Sequence, residues 1–270
     1  MNRVTGVTAP FGRRAATVSA RDEHGSYVVI RCQDPSGPTP RAGQFYMLAA
    51  AGRWGGGAGE RPFLPRALSV LRTRACELQF LIEDVGPGTR RLCELRRGDG
   101  LLLVGPLGNG FAPPRDGRAP LLVGGGVGIA PLAIWQDEFA GEVTTLLGFR
   151  DAAHAAGASL FTAATVATDD GSVGHHGVVT DLLEDELDAR ADDVEVYACG
   201  PPAMLEAVRE VCSRHQAPAQ LALESSMACG FGACFGCVVP TVDGYVRLCV
   251  DGPVLDAAKL ETALVAGAEH

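Results

Sequence analysis

Four cysteines crowd into the 21 residues from Cys229 to Cys249, spaced C-x4-C-x2-C-x11-C. Thiolates are soft metal ligands, and this spacing matches the plant-type pattern that holds a [2Fe–2S] cluster by four sulfurs. Cys229, Cys234, Cys237 and Cys249 are the candidate ligands. Gly230, Gly232 and Gly236 lie among them. A loop that turns its amides toward sulfur needs residues that tolerate positive φ and close approach. Zinc is the competing occupant, although zinc sites usually show two short C-x2-4-C pairs and only Cys234 and Cys237 sit that close. A disulfide is the third reading, disfavoured in a reducing compartment. Cys32, Cys76, Cys93 and Cys212 fall in apolar or helical patterns and read as buried thiols.

Two glycine loops could hold phosphate. The run Leu121-Leu-Val-Gly-Gly-Gly-Val-Gly-Ile-Ala-Pro131 reads as a strand, a loop and a helix start. Amide donors and a positive helix end at Gly125, Gly126 and Gly128 would suit a pyrophosphate, and Pro131 suits a first helical turn. The run does not match G-x-G-x-x-G, and close packing explains such glycines too. In Val85-Gly86-Pro-Gly88-Thr89, the residues Gly88 and Thr89 precede a short helix and could offer amides and a hydroxyl; a plain tight turn fits equally well. Arg66-Ala67-Leu68-Ser69 opens a strand, and on its own its arginine is a solvated charge.

The elements around these residues fall into three grammars. From about Ala16 to Pro114 short alternating runs (Tyr27–Cys32, Gln44–Leu48, Leu68–Leu71, Glu77–Glu83, Leu101–Val104) are broken by Gly and Pro, which predicts a small antiparallel β barrel. From Pro120 strands alternate with helices, with helices expected at Ala130–Phe139, Val178–Leu187 and Pro202–His215. That order implies a parallel α/β sheet. After Pro218 the pattern breaks at the cysteine cluster. The division is a loose tail over 1–15, a barrel over 16–115, an α/β domain over 116–217 and a cluster domain over 218–270. The loop from Ala51 to Pro65, with Gly55–Gly57, reads as a surface insertion without an assigned role.

Composition narrows the class. Across 270 residues, apolar types make up 47% and charged types 20%, which excludes a disordered chain. The net charge of −9 argues against a nucleic-acid or anionic-membrane partner. Residues 119–136 carry no charge, but their glycines and prolines favour a strand, loop and helix over a membrane span. Nine cysteines and no apolar leader within Met1–Ala20 point to a reducing, cytoplasmic setting.

In this order the loops resemble the ferredoxin-NADP reductase superfamily. In that superfamily an R-x-[YL]-[ST] strand and a G-x-G-T helix start bind FAD, and a G-G-x-G-x-x-P loop and a C-G-P-x-x-M segment bind the nicotinamide dinucleotide. Here these are Arg66–Ser69, Gly86–Thr89, Gly125–Pro131 and Cys199-Gly200-Pro201-Pro-Ala-Met204. The resemblance is greatest to the electron-transfer subunits of class 1B dihydroorotate dehydrogenases, which append a [2Fe–2S] domain with the signature E-x-x-M-x-C-G-x-G-x-C-x-x-C. Glu224, Met227, Cys229, Gly230, Gly232, Cys234 and Cys237 fit it. Gly105–Phe111 and Thr168–Ser172 also look like that family. Ala67 departs from its usual proline, and Leu68 stands where many members have tyrosine.

The resemblance implies FAD, a [2Fe–2S] cluster and NAD as cofactors. Arg66 would neutralise the FAD pyrophosphate, Ser69 would lie near the flavin, Gly88 and Thr89 would hold phosphate, and Leu81, Ile82 and Glu83 would line the flavin by backbone. Cys199 would be the catalytic residue beside the nicotinamide, bordered by Gly200, Pro201 and Met204. It implies a partner too: an FMN-containing dihydroorotate dehydrogenase catalytic subunit, joined in a heterotetramer through Phe231 and Phe235. The chain itself has no room for an FMN-binding barrel, which needs about 250 residues. A reductase subunit for ferredoxin, sulfur or an oxygenase, and a non-catalytic redox sensor, are the alternatives. Arg150 is a candidate for an adenosine-side phosphate, but Asp169 and Asp170 would repel one, which favours NAD over NADP. His175 and His176 read as loop residues.

Overall fold

The computed structural model describes residues 12–55, 62–139, 141 and 143–265. The expected tail over residues 1–11, the centre of the glycine loop at residues 56–61 and residues 266–270 lie outside the described residues.

Six strands close into an antiparallel barrel: β1 (Arg14–His24), β2 (Tyr27–Gln33), β3 (Phe45–Ala50), β4 (Arg66–Arg74), β5 (Glu77–Glu83) and β6 (Gly100–Leu107), in the order β1-β2-β5-β4-β3-β6. Closure removes the free edges that would otherwise pair with other chains. The alternating runs fill the interior: Tyr46 meets Phe80 edge-on with ring centroids 5.6 Å apart. A short helix, α1 (Pro87–Cys93), crosses between β5 and β6.

The barrel begins earlier than the alternation indicates. Arg14 and Ala15, expected in the loose tail, belong to β1. The Arg14 guanidinium is held 2.6 Å from Asp34 and donates 2.8 Å to the Gly105 carbonyl on β6. Only Ala16 and Val18 of β1 are buried, so the strand's apolar signature is weak. Cys76, expected to be buried, is exposed. It sits in the turn joining β4 to β5, where its thiol lies 3.1 Å from the Gln33 side-chain oxygen.

The second layer is a seven-stranded sheet. In chain order it contains β7 (Ala119–Gly125), β8 (Thr144–Phe149), β9 (Thr165–Thr168), the two-residue β10 (His175–His176), β11 (Val194–Cys199) and β12 (Ala219–Ala222). Its helices are α2 (Ala130–Asp137), the single turn α3 (Ala152–Ala155), α4 (Val179–Arg190) and α5 (Pro202–Arg214). These strands are parallel, as the strand–helix alternation requires.

The chain after Pro218 stays with this sheet. β12 adds beside β11, and after the cysteine segment β15 (Val254–Asp256) returns antiparallel on β12 to complete the order β10-β9-β8-β7-β11-β12-β15. Between them lies only the hairpin β13 (Val238–Thr241) and β14 (Gly244–Arg247). β12 is four residues long and fully buried, too short a run to show a period. Barrel and sheet share a continuous core, with α2 packed on β4 and Arg72 of β4 paired with Asp137 at 2.6 Å. No helix among the described residues is long and apolar enough to cross a membrane.

Candidate functional site

The first cradle forms where β4 starts and α1 begins. Arg66 is held at the strand start by its donation of 2.7 Å to the Leu64 carbonyl. Its guanidinium lies against Gly88: a Cβ added there would stand 2.3 Å from Arg66 Nε. Thr89 takes the amides of Val85 and Gly86 on its hydroxyl at 2.9 and 3.1 Å and donates to the Gly86 carbonyl. A cation and a bare backbone therefore meet beside a turn that the Thr89 hydroxyl fixes, and the guanidinium is a donor suited to phosphate. Ala67, Leu68 and Ser69 follow on β4, paired across to Met47, Tyr46 and Phe45. Leu81 and Ile82 are both buried, on opposite faces of β5. Glu83, at the end of β5, reaches out of the barrel to Arg150 at 2.6 Å and His154 at 3.2 Å. That contact engages Arg150, the residue singled out for an adenosine-side phosphate, with a barrel carboxylate.

The second site sits where the strand order reverses. From β7 the chain proceeds through β8 and β9 to one side, then returns through β11 and β12 on the other. The crevice beyond the carboxyl ends of β7 and β11 is the switch point at which open α/β sheets bind ligands. Gly125, Gly126, Gly128 and Pro131 line one wall, and Cys199, Gly200, Pro201 and Met204 the other, because Cys199 pairs with Gly124 across the two strands. The loops are pressed together: a Cβ on Gly128 would stand 2.5 Å from Gly200 Cα, and one on Gly125 would stand 2.4 Å from Met204 Sδ. Side chains are excluded at these positions, which leaves bare backbone at the strand ends, as a dinucleotide needs.

Cys199 is buried at 2% exposure. Burial, and then the charge of Glu224, pushes its thiol well above the ordinary range. It is a neutral thiol at physiological pH, suited to packing against a ring rather than to nucleophilic attack. Glu224, just beyond β12, keeps a sliver of surface, yet burial lifts its carboxyl to about 7. The unfolded chain ionises this group from about pH 4.5, while the folded chain keeps its proton until about pH 7. Its support for the fold is therefore complete below about pH 4.5 and lost as pH rises through about 7. Glu224→Gln is expected to gain stability over the parent between about pH 5 and pH 8, by on the order of 2 to 3 kcal/mol. Urea midpoints of the cofactor-free chain across that range check this, and a difference independent of pH would contradict it. By resemblance Glu224 is a signature residue only; its closeness to Cys199 arises from the β11–β12 pairing, which no local pattern encodes.

The third site is the cysteine loop. Its sulfurs stand in two pairs: Cys237 and Cys249 lie 3.2 Å apart, and Cys229 is hydrogen-bonded with Cys234. Among the described residues, no three such side chains already converge on one point. The backbone, however, is shaped around sulfur. Burial disfavours a Cys229 thiolate, but the amides of Cys234, Phe231 and Ala233 outweigh it and bring the thiol down to about 6. The Gly232 amide points at Cys249, and the Gly236 amide approaches Cys234 Sγ at 3.5 Å. Gly230 and Gly232 take positive φ of 79° and 86°, which lets the loop turn inward. Inward amides and four thiols fit an iron–sulfur cluster, whose sulfurs accept such bonds.

The loop is seated on the barrel. A Cβ on Gly230 would strike Met47 Cγ at 2.5 Å, and Met47 pairs with Ala67 in the β3–β4 ladder. The cysteine loop thus abuts the strand pair that carries Arg66–Ser69. Asn109 clamps the far end, donating to the carbonyls of Val250 and Asp251 at 3.1 and 3.0 Å. Thr168–Ser172 forms a turn closed by Thr168 and Val173 and by Asp170 and Ser172, away from all three sites in the hydrogen-bond pattern. His175 pairs with Asp181 at 3.1 Å on the β10 edge.

A barrel with a phosphate cradle, a parallel sheet with a dinucleotide crevice and an appended cysteine loop define a flavin- and nicotinamide-linked reductase carrying an iron–sulfur domain. Comparison with known proteins narrows this. Residues 224–261 match the iron-sulfur cluster binding domain of dihydroorotate dehydrogenase B. The dihydroorotate dehydrogenase B (NAD(+)) electron transfer subunit of Caldanaerobacter subterraneus subsp. tengcongensis is 36% identical, over 83% of this chain and 88% of its own. That of Geobacillus kaustophilus is 39% identical, over 81% and 86%. A solved NADH-dependent reduced ferredoxin-NADP oxidoreductase, described for flavin-based electron bifurcation, superposes with a TM-score of 0.77 at 26% identity, covering 93% of this chain and 91% of that one. A ferredoxin NADP+ reductase from Neisseria gonorrhoeae with bound FAD and NADP shares the fold, with a TM-score of 0.59 at 18% identity, over 75% and 91%. The chain belongs to the family of dihydroorotate dehydrogenase B electron transfer subunits.

Proposed function

We propose that this chain links dihydroorotate oxidation to NAD+ in pyrimidine biosynthesis, as the electron-transfer subunit beside an FMN-containing catalytic subunit. When bound, FAD exchanges electrons in pairs with nicotinamide and singly with a [2Fe–2S] cluster, so it joins the two kinds of carrier. The observation that carries the reading is the seating of the cysteine loop on Met47, across the ladder from Ala67. Electron transfer needs short separations, and this contact sets the cluster ligands beside the flavin strand.

The chain's own residues hold and orient. Arg66, Gly88 and Thr89 bind the FAD phosphates, Ala67, Leu68 and Ser69 border the flavin, and the Leu81–Glu83 backbone lines it. Gly125, Gly126, Gly128 and Pro131 seat the NAD phosphates. Gly200, Pro201 and Met204 fix the opposite wall, and Cys199 excludes water from the nicotinamide. Cys229, Cys234, Cys237 and Cys249 ligate the cluster. The catalytic subunit docks over the cysteine loop, where Phe231 and Phe235 are 45% and 62% exposed; large aromatics at this position are interface anchors. The working unit is a heterotetramer in the cytoplasm, where cysteines stay reduced and available to a cluster.

The test starts anaerobically with the purified chain. NADH is expected to bleach a flavin band, and dithionite then the cluster band. Mixed with the catalytic subunit, the chain is expected to form NADH from dihydroorotate and NAD+. A complex that reduces no NAD+ would refute the assignment. Reduction of ferredoxin by NADH in place of that reaction would favour a ferredoxin-linked reductase instead.

A further inference from the structure

The loop after β3, which the fold and the proposed function leave without a role, carries Trp54. We propose that Trp54 is an FAD-binding residue whose indole N–H donates to a diphosphate oxygen of the cofactor. The inference rests on the FAD reading of the Arg66–Gly88 cradle.

Three observations meet at this residue. The Trp54 ring packs on the barrel core, and its Nε1 is buried without any hydrogen-bond partner. An indole nitrogen is a donor only, and buried donors in folded proteins find acceptors. The Arg66 guanidinium carbon lies 5.9 Å from the Trp54 ring centroid, within cation–π range. That guanidinium is also the group against which Gly88 packs without room for a Cβ. The indole that carries the orphaned donor therefore stands beside the cation of the phosphate cradle, which in turn packs on the bare backbone of Gly88.

The loop is also fastened where this requires. Arg91 of α1 donates 3.4 Å to the Gly52 carbonyl, and Arg53 pairs with Glu94 at 3.7 Å. The Gly55 amide bonds the Pro62 carbonyl at 2.8 Å, closing the base of the insertion. Arg53 adopts a positive φ of 58°, an unfavourable conformation for a side-chain-bearing residue, on the approach to Trp54. The insertion is thus tied to the helix whose start forms the cradle, and a phosphate oxygen supplies the acceptor that the protein withholds from Nε1.

FAD titration of the flavin-stripped full-length chain tests this. In a Trp135→Phe background Trp54 is the sole tryptophan, and FAD is expected to quench its fluorescence with the same Kd as the flavin signal. Trp54→Phe keeps the ring and removes the donor; it is expected to weaken FAD binding by about 2- to 10-fold, the range of one hydrogen bond. Trp54→Ala also removes the contact with Arg66 and is expected to weaken binding further. Iron content and far-UV circular dichroism should match the parent in each variant. FAD binding with unquenched Trp54, or equal affinity in Trp54→Phe, overturns the proposal while leaving the function standing. A parent chain that takes up no FAD overturns both.

Discussion

Cys237→Ala is expected to strip the chain of iron while leaving FAD in place. Cys237 is 3% exposed and its sulfur lies 3.2 Å from Cys249, so it anchors one of the two sulfur pairs. Apart from the hairpin β13–β14, the segment from Glu224 to Gly252 contains little regular structure. Its buried apolar side chains, such as Val239 and Leu248, join a core shared with β3, the parallel sheet and α5. A segment with so small a core of its own depends on its metal for stability. Iron is expected to fall from roughly two atoms per chain to near zero. Bleaching of the flavin by NADH should persist, because the cradle at Arg66 and the crevice at Gly128 do not involve this sulfur. Electron delivery from the catalytic subunit should fall by more than about 100-fold, beyond the about 10- to 100-fold that loss of an outer-shell partner costs a metal site. Cys212→Ala is the control. Cys212 is equally buried, but it lies in α5, outside the C-x4-C-x2-C-x11-C run that supplies the four sulfurs. It is expected to retain full iron. Full iron in Cys237→Ala would remove Cys237 from the ligand set.

This contrast among cysteines shows what a sequence can and cannot reveal. Spacing separates the four loop cysteines from Cys212, because ligand geometry is local in the chain. Spacing does not reveal that the loop rests on Met47, since residues 47 and 230 meet only through the folded barrel. The same limit applies elsewhere. Strands β2 to β6 are legible because each carries a run of buried apolar residues, whereas β1 buries only two side chains and β12 has four residues without a period. The glycine loop at Gly125 is legible as a motif, yet its second wall is fixed by the parallel pairing of β7 with β11. Glu224 and Cys199 come together in the same way, through β11 and β12. Trp54 was hidden for a different reason: it stands in a glycine-rich run, and composition there signals a loose insertion even though its neighbours are bonded to α1.

The largest loss of nicotinamide binding is expected from Gly128→Ala, the smallest possible addition to the crevice. The new Cβ would lie 2.5 Å from Gly200 Cα, 2.7 Å from Gly200 N and 3.0 Å from the Cys199 carbonyl carbon. All three are backbone atoms at the end of a fully buried strand, so no rotamer change relieves the clash. The two walls must separate, at an overpacking cost of about 1 to 3 kcal/mol. Displacement of a binding loop by about 1 Å can cost about 100-fold in a positioned reaction, and a loss of that order is expected in hydride exchange with NADH. FAD and iron content should stay at parent levels, since neither the Arg66 cradle nor the cysteine loop touches Gly128. Gly125→Ala should be milder. Its Cβ would meet Met204 Sδ at 2.4 Å, and a thioether end can swing aside where a backbone cannot. Gly86→Ala should leave NADH binding unchanged, because nothing lies within 4 Å of its Cβ and its φ of 168° is extended. NADH titration of the three variants, monitored by flavin bleaching, reads this order directly. Equal affinity in Gly128→Ala and Gly86→Ala would mean that the crevice whose walls meet at Gly128 and Gly200 does not seat the nicotinamide dinucleotide.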